Sequence, residues 1–262
     1  MKRLNKYTRF FMTFILIFAL IISVAFNSEA GTSAEVEAKN LSSDTVNDEK
    51  SLKTASDTNT SAKKRGYFKL DISAVLQYPE LPTGCEVTAL TTVLNYYGCD
   101  VDKTYLAKYY LEQGEIGETN PYDAFVGSPF SFDAYGCYSD VIVNAAQSYI
   151  NDYGLDLNVK NVSELDFPQL IQYVKEGQPV IFWATMHLAK PYESTVWQID
   201  GEEVSWIAYE HCMVLTGFDY DTDCYIVCDP LKGLTEYKRE LMEVRYNQLG
   251  KHAVLVYRGD GR

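Results

Sequence analysis

The sequence predicts an α+β domain, with helices first and an antiparallel sheet after them, and three observations carry that prediction. Apolar residues recur at helical spacing between Gly84 and Gly177, and short runs rich in Val, Ile, Phe, Trp and Tyr take over from Pro179 onward. The dipeptide Asp200-Gly201, set between two such runs, marks a tight hairpin. Helices followed by closely connected strands pack as layers rather than alternating as crossover units.

Each element has its own signal. In LPTGCEVTALTTVLNYYG, Val87, Leu90, Leu94 and Tyr97 share a helical face, and Gly98 ends a helix running from about Gly84 to Tyr97. Asp102 caps a second helix, Lys103 to Glu112. Residues 113–137, containing NPYDAFVGSPFSFDAYGCY, read as a long loop too aromatic for a simple linker: either a surface loop pinned by its own rings or the wall of a substrate cleft. Ser139 is the expected cap of a helix through Tyr153, and a short strand follows near Leu155 to Val159. Ser163, with Asp166 three residues on, opens a helix to Gly177. Strands are expected at Pro179 to Met186, Thr195 to Asp200, Glu203 to Ala208, Cys212 to Phe218, Tyr225 to Cys228 and Ala253 to Tyr257, interrupted by a helix near Tyr237 to Leu249.

Ahead of this domain, Lys2, Arg3, Lys6 and Arg9 precede an apolar stretch from Phe10 to Phe26, and Ser28-Glu29-Ala30 offers small residues for cleavage. That is the pattern of a secretory signal peptide over residues 1–30, and uncut it is long enough to serve as a membrane anchor. Residues 31–65 are Ser, Thr, Asp, Glu, Lys and Asn with almost no bulky apolar residue, the composition of a disordered linker. Residues 66–262 suffice for one globular domain. The expected location is extracellular, secreted or on the cell surface.

The chain carries 23 basic and 36 acidic residues; without the first 30 it keeps 19 and 35, a net charge of −16. Nucleic acid is excluded as a partner, because phosphates select clustered Lys and Arg, and an anionic membrane surface is disfavoured. A peptide or protein substrate is compatible with this balance. The six cysteines lack the dense spacing of a stapled scaffold. Cys224 and Cys228 lie four residues apart on one strand, about 13 Å, too far for a disulfide. Cys99 and Cys137 are the one pair to check for a disulfide.

The chemistry centres on Cys85. A Pro/Thr/Gly turn delivers its thiol to the first turn of a helix, where unpaired N–H groups and dipole charge favour a thiolate. A thiol nucleophile needs a base, and there are three histidines. His211 opens the strand HCMVLTGFD, and Asp229 ends the next strand in IVCDP, so antiparallel neighbours place a carboxylate beside the imidazole. His187, at a strand end, and His252, without an evident carboxylate, rank second and third. The Cys85 backbone N–H can stabilise an oxyanion, and Gln77, eight residues upstream, offers a side-chain amide. Cys and His do not recur at zinc-ligand spacing, so neither metal nor cofactor is implied.

Gln77 through LPTGCEVTALTTVLNYYG, then EHCMVLTGFD, then CDP, resembles the papain-like cysteine peptidases of the bacteriocin leader-processing type, family 39, and in particular their stand-alone secreted members from Gram-positive bacteria. The resemblance spans nearly all of residues 70–257. It implies a papain-like fold, Cys85 as nucleophile, His211 as base, Asp229 as its orienter and Gln77 as oxyanion-hole residue. Leader-processing enzymes are fused to an exporter and act in the cytoplasm, whereas this chain reads as carrying an export signal and no transporter domain, so leader removal is not the expected reaction, although thiol-dependent amide cleavage can survive the change. The expected function is a secreted cysteine peptidase working through an acyl-enzyme. Its rivals are an acyltransferase or transpeptidase on the same triad, and an inactive peptidase fold that binds peptide or wall components.

Overall fold

The computed structural model describes residues 66–259, so the predicted signal peptide and linker lie outside the described residues. Eleven strands and five α-helices are described, here numbered in chain order. The helices are α1 (Cys85–Tyr96), α2 (Lys103–Tyr109), α3 (Ser139–Tyr153), α4 (Phe167–Lys175) and α5 (Arg239–Gln248). The main sheet takes the order β10 (Gly233–Lys238), β9 (Cys224–Asp229), β8 (Glu210–Asp219), β5 (Val180–Thr185), β11 (Ala253–Arg258) and β4 (Leu157–Asn161). A seventh strand, β1 (Tyr67–Lys69), pairs with the far end of β8, and all pairings in this sheet are antiparallel.

Strands β5 and β8 are buried along their whole length, which explains why their sequences run apolar without alternation. Both faces are covered by helices. On β5, Phe182 points to Phe167 of α4 and Tyr246 of α5, while its neighbour Trp183 points the other way and donates from Nε1 to the Cys137 carbonyl at 2.9 Å. The helix α1 lies on that second face and is itself buried nearly all round. Buried Thr88, Thr91 and Thr92 are tolerated there because each hydroxyl donates to the carbonyl four residues back.

Several boundaries differ from the sequence prediction, each for a local reason. The helix α2 stops at Tyr109, and Gln113–Gly114 (β2) pairs in parallel with Phe125–Val126 (β3), so the aromatic loop contains a small sheet. Asp102 caps α2 as expected, accepting from Thr104 N and Tyr105 N. Ser139 does not cap α3; Tyr138 holds that position, and Ser139 Oγ meets His252 Nδ1 at 3.2 Å. Helix α4 begins later than predicted because Asp166 itself is the N-cap, in a capping box with Gln169. Ser163 instead accepts the Ala253 N–H. The Asp200-Gly201 turn joins β6 (Glu193–Ile199) to β7 (Glu202–Ile207) with both residues at positive φ, as a tight hairpin requires. The strands β1 and β10 were not predicted. All six cysteines are unpaired, Cys99 and Cys137 included. Among the described residues, no helix is long and apolar enough to cross a membrane.

Candidate functional site

The segment before α1 is built to present its first residue. Leu81 to Gly84 forms a turn closed by Gly84 N–H on the Leu81 carbonyl at 3.1 Å. A Cβ on Gly84 would meet Leu81 and Pro129 at 3.0 Å, so the turn and the aromatic loop would have to part by a few tenths of an ångström to admit one. Thr83 Oγ1 donates to the Ser131 carbonyl at 2.9 Å and ties that loop to the turn. Upstream, Lys103 Nζ donates to the Gln77 carbonyl at 3.0 Å and pairs with Glu80 at 2.7 Å, fixing the path of residues 76–80.

Cys85 opens a cleft of about 480 Å³, lined also by Gln77, Tyr135, His187, Trp206, Glu210 and His211. Three of the four predicted site residues therefore share one cavity. The fourth, Asp229, stands behind His211, with Oδ1 2.8 Å from His211 Nε2. The strand register explains that contact. Val214 pairs with Cys228, so one step further Asp229 faces Met213, and His211 is its diagonal neighbour on the same sheet face. Asp229 is saturated: Oδ1 also accepts Leu231 N–H at 2.8 Å and Oδ2 accepts the Tyr237 hydroxyl at 2.7 Å. Burial opposes its charge, but the His211 hydrogen bond and charge, with Tyr237 and Leu231, hold the carboxyl down to about 2.

The Cys85 end behaves differently. Its Sγ accepts Cys212 N–H at 3.4 Å and donates to Glu86 Oε2 at 3.3 Å, rather than hydrogen-bonding the His211 ring. Alternation along β8 sends Glu210 and Cys212 toward α1 and His211 to the other side. The helix N-terminus that favours a thiolate is opposed here: burial, then the charges of Glu86 and Glu210, push the thiol well above its usual range. Burial likewise pushes Glu86 up to about 7, against its backbone hydrogen bonds, and raises Glu210 well above the carboxylate range with Glu86 adding to it. Glu86 Oε1 accepts Cys137 N–H at 2.7 Å, which clamps the aromatic loop to α1. Gly136 is wedged between Glu86 Oε1, Trp206 and Glu210, leaving no room for a side chain.

Gln77 is buried, with Nε2 donating one hydrogen to the Pro82 carbonyl at 2.8 Å and a second left for the cleft. The aromatic loop is both things the sequence allowed. Its Phe125 and Tyr138 are core residues, while Ala134 and Tyr135 form cleft wall. The β6–β7 hairpin braces it through Trp197 and Trp206 on Tyr135. Exposed His187 lines the cleft at φ +55°, whereas His252 is a packed residue, stacked 4.5 Å from Tyr138.

Sequence reasoning missed Tyr237, Glu86 and Glu210. For Tyr237 the signal was weak, since β10 is a polar edge strand. For Glu86 a signal existed: in CEVTALTTVLNY it is the one charged residue of an otherwise uncharged helix, so a helix buried all round must bury it.

A thiol at a helix start, an imidazole–carboxylate pair on the sheet and a cleft between them define the class: a cysteine-peptidase-type fold. The chain belongs to the Peptidase_C39-like family, whose family model matches residues 69–254. A chain named as a C39-like peptidase from Bacillus anthracis superposes with TM-score 0.66 at 29% identity, over 74% of this chain and 99% of that one. The uncharacterized protein YvpB of Bacillus subtilis is 28% identical over 235 residues, 85% of this chain and 91% of its own length.

Proposed function

We propose that this chain is an exported cysteine peptidase that hydrolyses peptide bonds through a thioester acyl-enzyme on Cys85. The observation that carries the reading is that Cys85, His211 and Gln77 open onto one cleft with Asp229 locked behind the imidazole. In that reading the thiol rotates from Glu86 toward His211 and gives it a proton, and sulfur bonds to the substrate carbonyl carbon. The C–N bond breaks as His211 returns the proton to the leaving amine, and water then cleaves the thioester. The Cys85 N–H and the second Gln77 amide hydrogen are the candidate oxyanion donors. Export and extracellular action rest on residues 1–30.

A second reading, a peptidase fold that binds peptide without cutting it, is favoured by the carboxyl pair beside the thiol, which opposes the thiolate. Digestion of a peptide mixture by the mature chain, with products read by mass, decides between them. Peptidase action predicts new termini that vanish in Cys85→Ala and fall by about 10²–10⁴ in His211→Ala. Intact peptides retained equally by wild type and Cys85→Ala establish the binding module instead. New amide products with added amines would assign acyl transfer.

A further inference from the structure

We infer that Cys85, Glu86 and Glu210 form a capture site for a thiophilic divalent cation of the zinc class, which holds the nucleophile in an inactive state. One ligand atom from each of the three lies within 4.8 Å of the others, and all three residues are buried. A four-coordinate zinc with bonds of about 2.0–2.3 Å keeps its ligands about 3.5 Å apart, so each atom needs to move by less than about 1 Å.

A second, independent observation points to a ligand. Glu210 is 7% exposed, and its Oε1 has no hydrogen-bond partner among the described residues. A buried, unpartnered carboxylate oxygen beside a second carboxylate is costly in any state that leaves both charged. A dication answers all three groups at once. Glu86 is preset for the task, because Cys137 N–H holds Oε1 and leaves Oε2 facing the sulfur. Access is through the cleft, which Cys85 and Glu210 both line. Chain spacing could not reveal the site, since its ligands are two adjacent residues and a third on a strand 124 positions later.

The step balances without redox change. Thiol and any protonated carboxyl release their protons to solvent as the S–metal and O–metal bonds form, and chelation reverses it. Coordination draws electron density from the sulfur and pins it on the Glu86–Glu210 side, away from His211, so occupancy opposes acylation whatever the substrate. The site does not require the peptidase reading, and its tests do not use cleavage.

The trio excludes His211, which separates this site from ordinary poisoning of a Cys–His pair. The experiment is a Co²⁺ titration of the full chain, following the near-ultraviolet thiolate-to-cobalt band, with Zn²⁺ as competitor. The expected result is a band lost in Cys85→Ala, kept in His211→Ala, and requiring at least about tenfold more Co²⁺ in Glu210→Gln. A companion measurement needs no variant: Zn²⁺ slows iodoacetamide modification of Cys85, read by peptide mass, by at least about tenfold, and a chelator restores it. Unchanged alkylation with Zn²⁺ overturns the proposal. So does a band that survives Cys85→Ala, one that disappears in His211→Ala, or a Glu210→Gln titration equal to wild type.

Discussion

The two walls of the cleft solve the same problem in opposite ways. On the sheet side, Asp229 is buried with every oxygen answered by His211, Tyr237 and Leu231, so its charge is native to the fold. On the helix side, Glu86 and Glu210 are buried beside a thiol with too few donors, so their charges are resisted. Burial alone therefore says nothing about ionisation; the donors count. The sheet side is a finished device, and the helix side is a loaded one that a proton, a cation or a substrate must complete.

The comparison breaks most visibly if the two sides are emptied in turn. Asp229→Ala leaves the His211 ring, the Tyr237 hydroxyl and Leu231 N–H without an acceptor, and removal of one buried partner costs about 3–5 kcal/mol. Glu210→Gln at pH 8 is expected to be neutral or stabilising, because it removes a resisted charge and keeps the shape. Urea unfolding of both variants checks this, and similar losses would erase the contrast.

The next largest effect is in pH. Glu86 is raised from a usual value of about 4.3 to about 7, so its contribution is fully present below about pH 4.3 and is lost as pH rises through 7. The linked change is on the order of 3–4 kcal/mol. Stability of the wild type should fall between pH 4.5 and pH 8, and Glu86→Gln/Glu210→Gln should flatten that slope. Denaturant midpoints at the two pH values measure it.

Much of the sheet side was legible in sequence and much of the helix side was not. His211 and Asp229 were found because a strand end followed by a turn and an Asp-Pro strand end dictates adjacency. Cys85 was found from its turn and helix. Its environment was not, because local reasoning sees the helix N-terminus and not the strand that arrives from 124 residues away carrying Glu210. Tyr237 was hidden by GLTEYK, whose half-exposed alternation at a sheet edge offers few apolar residues, so the helix was started there instead of at Arg239. In the aromatic loop, nothing in the sequence singled out Gly136, yet it is the point on which both carboxyls and Trp206 rest. Gly136→Ala is expected to cost about 1–3 kcal/mol through that collision. A melting temperature equal to wild type would mean the carboxyl cluster yields freely.

The smallest change asks the sharpest question of the sheet side. Tyr237→Phe removes one donor from Asp229 and leaves the ring, so at pH 7 the loss is that of a single hydrogen bond to a charged group, about 1.5–3 kcal/mol at most. The sign of its pH dependence distinguishes charge from shape. Asp229 is held at about 2 partly by this hydroxyl, so without it the folded carboxyl titrates higher. A lowered native value gives stability that is present above the unfolded value of about 3.9 and lost as pH falls through the folded one. The variant must then lose its Asp229 contribution earlier on acidification, and the gap between the two proteins must shrink from pH 7 to pH 2. Unfolding free energies at both pH values test this. A constant gap would reduce Tyr237 to a packing residue, and His211 with Leu231 would then carry the whole task of keeping the carboxylate charged.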